Sequence, residues 1–381
     1  MKCVMVADAH IDRSSGQWIE SEGMLSSWIS AVRALEESVN VFIDHDADVF
    51  CLLGDTFNTG HPTAQAVHIV TSQLKRVQDA GGKIIAVVGN HELSGVKPGA
   101  ENPVEVFLPL VDAHVFSDLG FIDIGNVRFF GLPWLDTSRI HSDSSNGGNA
   151  EGIIESELAA FADSYVDEMD HNVVLGHCMI GSHGERKSDA DMDSIVNEPI
   201  VDAEWFDAFD EVFLGHIHHR HDVFDKIHYV GSPFQITRAD AGDLRGCELV
   251  EFHDDHTVDR KFIPFNDIVG EFSVVDIVGV DGISAAQEIK KLEVSEMDTV
   301  VIVNDGELDK HVVKAVEKLR DQGITVKVVS VAVEQEAVVG SVDMGLSDDS
   351  SIEDGLRTWL SHKGYQDDVI DETMQLVEDD L

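Results

Sequence analysis

Short apolar runs punctuate the first 215 residues, at 3–7, 49–53, 84–88, 173–175 and 212–214, each a few consecutive residues of buried-strand type. Every one of them ends in a polar or glycine-bearing turn. Between the first two, Leu25, Trp28, Ile29, Val32, Leu35, Val39, Phe42 and Ile43 recur mostly three or four apart, as one face of a long helix requires. Such a helix returns the chain for a parallel neighbour. Further strands are predicted at 121–124, 127–132, 226–230 and 247–252, with glycine and acidic turns that give the later part of the core a more antiparallel character. The fold class that results is α/β, or layered α+β.

After Pro264 the pattern becomes strand (272–278), helix (283–292), strand (299–303), helix (310–320) and strand (325–331). We therefore divide the chain into a first domain over 1–264, a small α/β domain over 265–333, an aperiodic linker over 334–350 and acidic helices over 351–381. Ser351, with Asp354 three residues on, makes a capping start for the first tail helix. Leu356, Trp359 and Leu360, then Val369, Ile370, Met374 and Val377, give apolar stripes that fit either packing on their own domain or a partner.

Composition narrows the class. Hydrophobic residues are 43%, charged residues 26%, and eight prolines are spread over 381 residues, the profile of a globular chain with a sizeable core. No apolar run approaches the roughly 20 residues that span a bilayer, and the start MKCVMVADAH leads straight into a polar motif, so a cytoplasmic protein with no membrane association is expected. Cys3, Cys51, Cys178 and Cys247 are far apart and form no CxxC pair, which reads as unpaired thiols. The net charge of −46 argues at first against a polyanionic partner. Two circumstances reverse that: concentrated salt, which screens charge over about 3 Å at 1 M, or bound metals and a basic partner. An evenly acidic composition with no such meaning is the bland alternative.

Five strand ends are followed at once by metal-binding side chains: Asp8-Ala9-His10, Gly54-Asp55, Gly89-Asn90-His91-Glu92, Gly176-His177 and Gly215-His216-Ile217-His218. Carboxylate, imidazole and amide oxygen suit Mn²⁺, Fe²⁺ or Zn²⁺, and no cysteine joins them. Singly, each is weak, because an isolated histidine is usually a hydrogen-bonded or surface residue and Gly-Asp is usually a turn. In an open sheet, however, strand carboxyl ends converge on one crevice, so the ordered set is read as one cluster.

This ordered set resembles the calcineurin-like metallophosphoesterases across roughly residues 1–235, whose fold is a β-sandwich flanked by helices. A narrower likeness follows from residues 229–237, Tyr-Val-Gly-Ser-Pro-Phe-Gln-Ile-Thr, which resemble the segment closing the nuclease domain of SbcD-type DNA repair nucleases, especially their bacteriophage relatives. By position, the resemblance implies that Asp8, His10 and His218 hold one metal, that Asn90, His177 and His216 hold the other, and that Asp55 bridges both. His91 would then assist the departing oxygen, a role that a protonated imidazole can fill. It also implies two divalent metals, manganese by preference, with 3′ to 5′ attack on duplex DNA ends and endonuclease action on single strands. The partners implied are a second copy of the chain and an SbcC-like coiled-coil ATPase, docked through 351–381, with Trp18 or Trp28 as candidates for the dimer contact.

Two positions depart from that pattern. Asn58 stands where SbcD-like nucleases usually have a histidine, with His61 slightly further on, which leaves polarity and processivity open; Glu92 replaces a more usual aspartate. Arg186, Lys187, Arg238 and Arg245 are candidates for the DNA backbone, and His219 and His221 for phosphate or a supporting carboxylate, although a solvated loop fits the two histidines as well. Two other functions stay open: the same chemistry on a small or protein substrate, as a phosphodiesterase or phosphatase, and a metal-free scaffold, against which the intact ligand set speaks.

Overall fold

A computed structural model of the chain describes residues 1–330 apart from 14–17, 20–23, 98–99, 135–149, 166–168, 182–199 and 266–267. Met1–Val303 with Leu308–Val328 form one compact unit. The expected linker and tail helices, with Arg186 and Lys187, lie outside the described residues.

Two six-stranded sheets make the core. The first runs Val258–Pro264, Gly246–Phe252, Lys2–Val6, Val49–Leu53, Lys83–Val87, His114–Phe116, and the second runs His221–Phe224, Ile227–Tyr229, Glu211–Gly215, His171–His177, Val127–Leu132, Gly120–Ile124. Alternation along each strand assigns its side chains. Cys3, Met5, Cys51, Leu53, Ile85 and Val87 meet Phe129, Val173, Leu175 and Phe213 of the other sheet. Val4, Val6, Phe50, Leu52, Ile84 and Ala86 point the opposite way, into a layer shared with the helices Ser26–Asp44 and Ala64–Asp79. Strands covered on both faces have no polar side to show, which is why they read as unbroken apolar runs.

The helix Ser26–Asp44 buries Ile29, Leu35, Val39 and Phe42 of the face its periodicity predicts, with Ala34 beside them, whereas Ile43 is exposed. Trp28 is half-buried against the same core; the Trp18 side chain is outside the described residues. The helix Ala64–Asp79 starts where the Thr63 hydroxyl accepts from the Ala66 N–H. All four cysteines are buried and free.

The expected antiparallel character of the later strands needs correction. Gly120–Ile124 with Val127–Leu132, and Gly246–Phe252 with both of its neighbours, are antiparallel. Val127–Leu132 and Ile227–Tyr229, in contrast, pair parallel with His171–His177 and Glu211–Gly215. Residues 272–330 contain a three-stranded sheet, Phe272–Asp276, Thr299–Asn304, Thr325–Ser330, with the helices Gly282–Lys291 and Lys310–Asp321 packed through their own core of Ala285, Ile289, Val300, Ile302, Val316 and Leu319.

The charge of −46 acts against any compact form, since like charges repel until salt screens them. The melting temperature should climb as KCl is raised towards molar concentration, and a maximum at low salt would contradict a chain adapted to brine.

Candidate metal centre

The five motifs do not share one sheet. Asp8, Asp55 and Asn90 follow strands of the first sheet, whereas His177 ends a strand of the second and His216 follows another, so the cluster forms where both sheets present their carboxyl ends side by side. Sharp turns at those ends aim the side chains inward. Asp8, His10, Asp55 and His216 have φ of 52°, 41°, 48° and 88°, a left-handed backbone that costs a non-glycine residue energy and that concentrates at functional sites. Gly54, at φ 84°, has no side chain because a Cβ there would run into the His177 ring.

All eight predicted residues converge. His10 and His218 face each other with their Nε2 atoms 3.2 Å apart, and Asp8, His10 and His218 can offer ligand atoms to one ion. On the other side, Asn90 Oδ1 lies 2.9 Å from His177 Nε2 and 3.3 Å from His216 Nδ1. Asp55 stands between the two lobes, with Oδ1 3.5 Å from His177 Nε2 and Oδ2 3.7 Å from His10 Nε2. His91 Nε2 is 3.9 Å from the same Oδ2, and its ring meets His10 edge-on at 4.6 Å.

The donors fit a pair of divalent cations. The Nδ1–H of His177 donates to the Leu53 carbonyl at 2.8 Å, which turns the Nε2 lone pair of the neutral ring towards the oxygens of Asn90 and Asp55. Lone pairs facing one another need a proton or a metal between them. Nδ1 of both His10 and His218 is buried without a hydrogen-bond partner. Asp8, His10, Asp55, His177 and His216 are all buried, a costly arrangement unless charges are paired or ligate a metal.

Electrostatics in the protein alone carries the same signature. Burial pushes the Asp8 carboxyl up to about 7, Asp55 adding to the rise while His177 opposes it. Burial likewise lowers His10 to about 3, and with His10 it holds His218 well below the ordinary imidazole range. For Asp55 burial works upward, but the imidazoles of His177, His91 and His10 outweigh it and hold the carboxyl low. Burial also disfavours charge on His177, yet Asp55 and Asp8 outweigh it and raise the ring to about 9.

Supporting residues account for the geometry. The short helix Asn90–Leu93 turns Glu92 inward, where its carboxylate accepts from the N–H groups of Asp55, Phe57 and Gly89 at 3.0, 2.9 and 2.9 Å. It ties the second motif to the third. Burial and the Asp55 charge raise its pKa to about 8, against the pull of the Phe57 and Gly89 N–H groups. Leaving three buried donors unmet costs about 1–3 kcal/mol each, not additively. Glu92→Ala should thus destabilise the metal-free protein by about 3–5 kcal/mol in urea denaturation, with Glu92→Gln intermediate.

Arg245 also needs correction. It is buried, not poised for DNA: it donates to the His218 carbonyl and to Ser232 Oγ, and pairs with Asp240 and Asp243. Ser232 N–H reaches the same carbonyl at 3.0 Å, so the segment resembling SbcD-type proteins underlies the last histidine loop. Arg238 is at the surface. His219 pairs with Asp243 at 2.8 Å, and His61 Nε2 lies 3.2 Å from the Gly95 carbonyl. Trp134 was not anticipated. Its ring lies 5.0 Å from that of His216 and 6.2 Å from that of His177, and the available signal was its place just past the apolar run 127–132.

Where the two sheets present their carboxyl ends, carboxylates, imidazoles and an amide oxygen gather into a cluster that could hold metal ions. Residues 1–220 match the calcineurin-like phosphoesterase family, and the chain belongs to it; members use a dimetal centre. The chain is also similar to the SbcD component of the SbcCD nuclease of Staphylococcus saprophyticus, 23% identical over 305 residues, which cover 77% of this chain and 76% of that one. Among solved structures, a dimetal phosphatase from Danio rerio gives 13% identity and a TM-score of 0.40, over 66% of this chain and 92% of that chain. The calcineurin-like phosphoesterase YfkN from Bacillus subtilis gives 11% and 0.39, over 71% and 92%. Among the described residues no helix is long and apolar enough to cross a membrane.

Proposed function

We propose that this phosphoesterase is a two-metal-dependent DNA nuclease, a 3′ to 5′ exonuclease on duplex ends and an endonuclease on single strands, working in DNA end processing, recombination and repair. The observation that carries the reading is the similarity to the SbcD component of a nuclease along 305 residues, well past the 220 shared with the family. In this reading Asp8, His10 and His218 would hold one ion, Asn90, His177 and His216 the other, and Asp55 would be shared between them. Divalent ions held there, manganese in this reading, would neutralise charge on a phosphodiester and acidify an attacking water.

The chain's own groups do the rest. His91 Nδ1 is held 3.1 Å from the Asn58 carbonyl, so Nε2 is left to give a proton to the departing oxygen. Asn58 thereby orients the acid, although it lacks the imidazole usual at its position. Trp134 walls the His216 side. Residues 265–333 serve as a DNA-binding cap, and 351–381 dock an SbcC-like coiled-coil ATPase. The working particle is a cytoplasmic homodimer.

Metal affinity should depend on pH. The protons held by His177, near 9, and by Asp8, near 7, must leave before both can ligate. Both values are raised, so protonation competes below them and affinity increases upward. Titration calorimetry with Mn²⁺ should find roughly tenfold tighter binding per pH unit between 7 and 9, and a steeper rise below 7. A flat profile would mean that neither group ligates.

The substrate is tested by offering labelled duplex and single-stranded DNA, a phosphopeptide and a cyclic nucleotide with Mn²⁺, with and without an SbcC-like ATPase and ATP. Cleavage of DNA with shortening from 3′ ends supports the reading. Turnover confined to the phosphopeptide or the cyclic nucleotide would replace it with a phosphatase or a small-substrate phosphodiesterase.

A further inference from the structure

Three aromatic rings lie in series beside the last histidine loop. Tyr229 is buried, its hydroxyl accepting from the Ile180 N–H at 2.8 Å and donating to the Cys178 carbonyl at 3.0 Å. His221 stacks on Tyr229 with ring centroids 5.0 Å and planes 23° apart, and His219 stacks on His221 at 5.7 Å and 29°. The series runs from the interior to solvent, for the His219 side chain is 51% exposed. Its ring is nevertheless tethered: Nδ1 meets Asp243 at 2.8 Å, Asp243 meets Arg245 at 3.0 Å, and Arg245 donates to the carbonyl of His218. The exposed ring is thus tied through two side chains to the residue that carries one of the candidate ligands.

An oriented aromatic face beside a phosphodiester site is a surface on which a nucleobase stacks, since every base has a π-face. The charge of the chain gives such a contact unusual weight. At −46 it repels phosphate, and ionic contacts weaken steeply as salt rises, whereas stacking does not rest on Coulomb attraction. We propose that His219 is a stacking platform for the base adjoining the scissile phosphate. The inference rests on the nuclease reading and adds a base-binding subsite to it.

The test compares single-stranded oligonucleotides carrying either normal bases or an abasic tetrahydrofuran on each side of the cleaved bond, with Mn²⁺ in molar KCl. The wild-type chain should prefer the base-bearing strand by about tenfold in kcat/KM, mainly through KM. His219→Ala should erase that preference, and His219→Phe, which keeps a ring but loses the bond to Asp243, should recover most of it. Metal-free chain in EDTA, followed by fluorescence anisotropy, should show the same ranking in Kd.

A preference that survives in His219→Ala overturns the proposal. So does a Phe variant that behaves like Ala, because the Asp243 bond, and not stacking, would then be the active feature. Wild-type cleavage of DNA with no preference for bases overturns the subsite alone. A wild-type chain that hydrolyses a small phosphodiester but no DNA removes the nuclease reading, and the subsite with it.

Discussion

Asp55→Ala should lower phosphodiester hydrolysis by at least about 10³-fold and reduce the metal content from two ions towards one. The carboxylate reaches towards both lobes, Oδ1 towards His177 and Oδ2 towards His10. Charge stabilisation by a correctly held metal is worth several kcal/mol in a transition state, and about 4 kcal/mol corresponds to a thousandfold in rate. Removing Asp55 also leaves the His91 N–H without the Oδ1 acceptor it has at 2.9 Å, so the third motif loses an anchor too. Asp55→Asn keeps that acceptor but lacks the charge. Its activity should also be lost while its melting temperature stays nearer the wild type, and this separates ligation from folding. An Asp55→Ala chain that binds two ions and cuts DNA normally would show that the bridge lies elsewhere.

His91→Ala should behave differently, losing about 10²- to 10⁴-fold on DNA, the usual contribution of a general acid, while binding both ions. Its ring borders the first lobe, within ligand reach of His10 and Asp55 but partly exposed, with Nδ1 held by the Asn58 carbonyl and Nε2 facing the cluster. The loss should follow the leaving group. A deoxyribose oxygen needs a proton to depart, whereas nitrophenolate does not, so bis-p-nitrophenyl phosphate should lose much less. Equal losses on both substrates would assign His91 to phosphate binding or to metal support.

The chemistry was legible because each motif lies immediately after an apolar run, and such runs, when buried on both faces, announce themselves. The grouping of Asp8, His10 and His218 against Asn90, His177 and His216 came from resemblance, since no spacing relates residues some 200 positions apart. Strand direction was less legible: whether Val127–Leu132 runs parallel to His171–His177 depends on the path of the intervening chain. The strand Val258–Pro264 was missed because Asp259, Arg260 and Lys261 interrupt its apolar pattern at a sheet edge. Arg245 misled for a similar reason. A lone arginine in an acidic chain reads as surface, and the carbonyl that buries it belongs to a residue 27 positions away. Trp134 carried no periodic signal, and only the converging strand ends bring it to His216.

The most direct measurement is the number of Mn²⁺ ions bound per chain by equilibrium dialysis, taken alongside cleavage of labelled DNA over the same metal concentrations. Two ions in the wild-type chain are expected, with cleavage appearing as the second binds and vanishing in Asp55→Ala. Cleavage that saturates with one ion, or two ions bound without any cleavage of DNA, would contradict a two-metal nuclease.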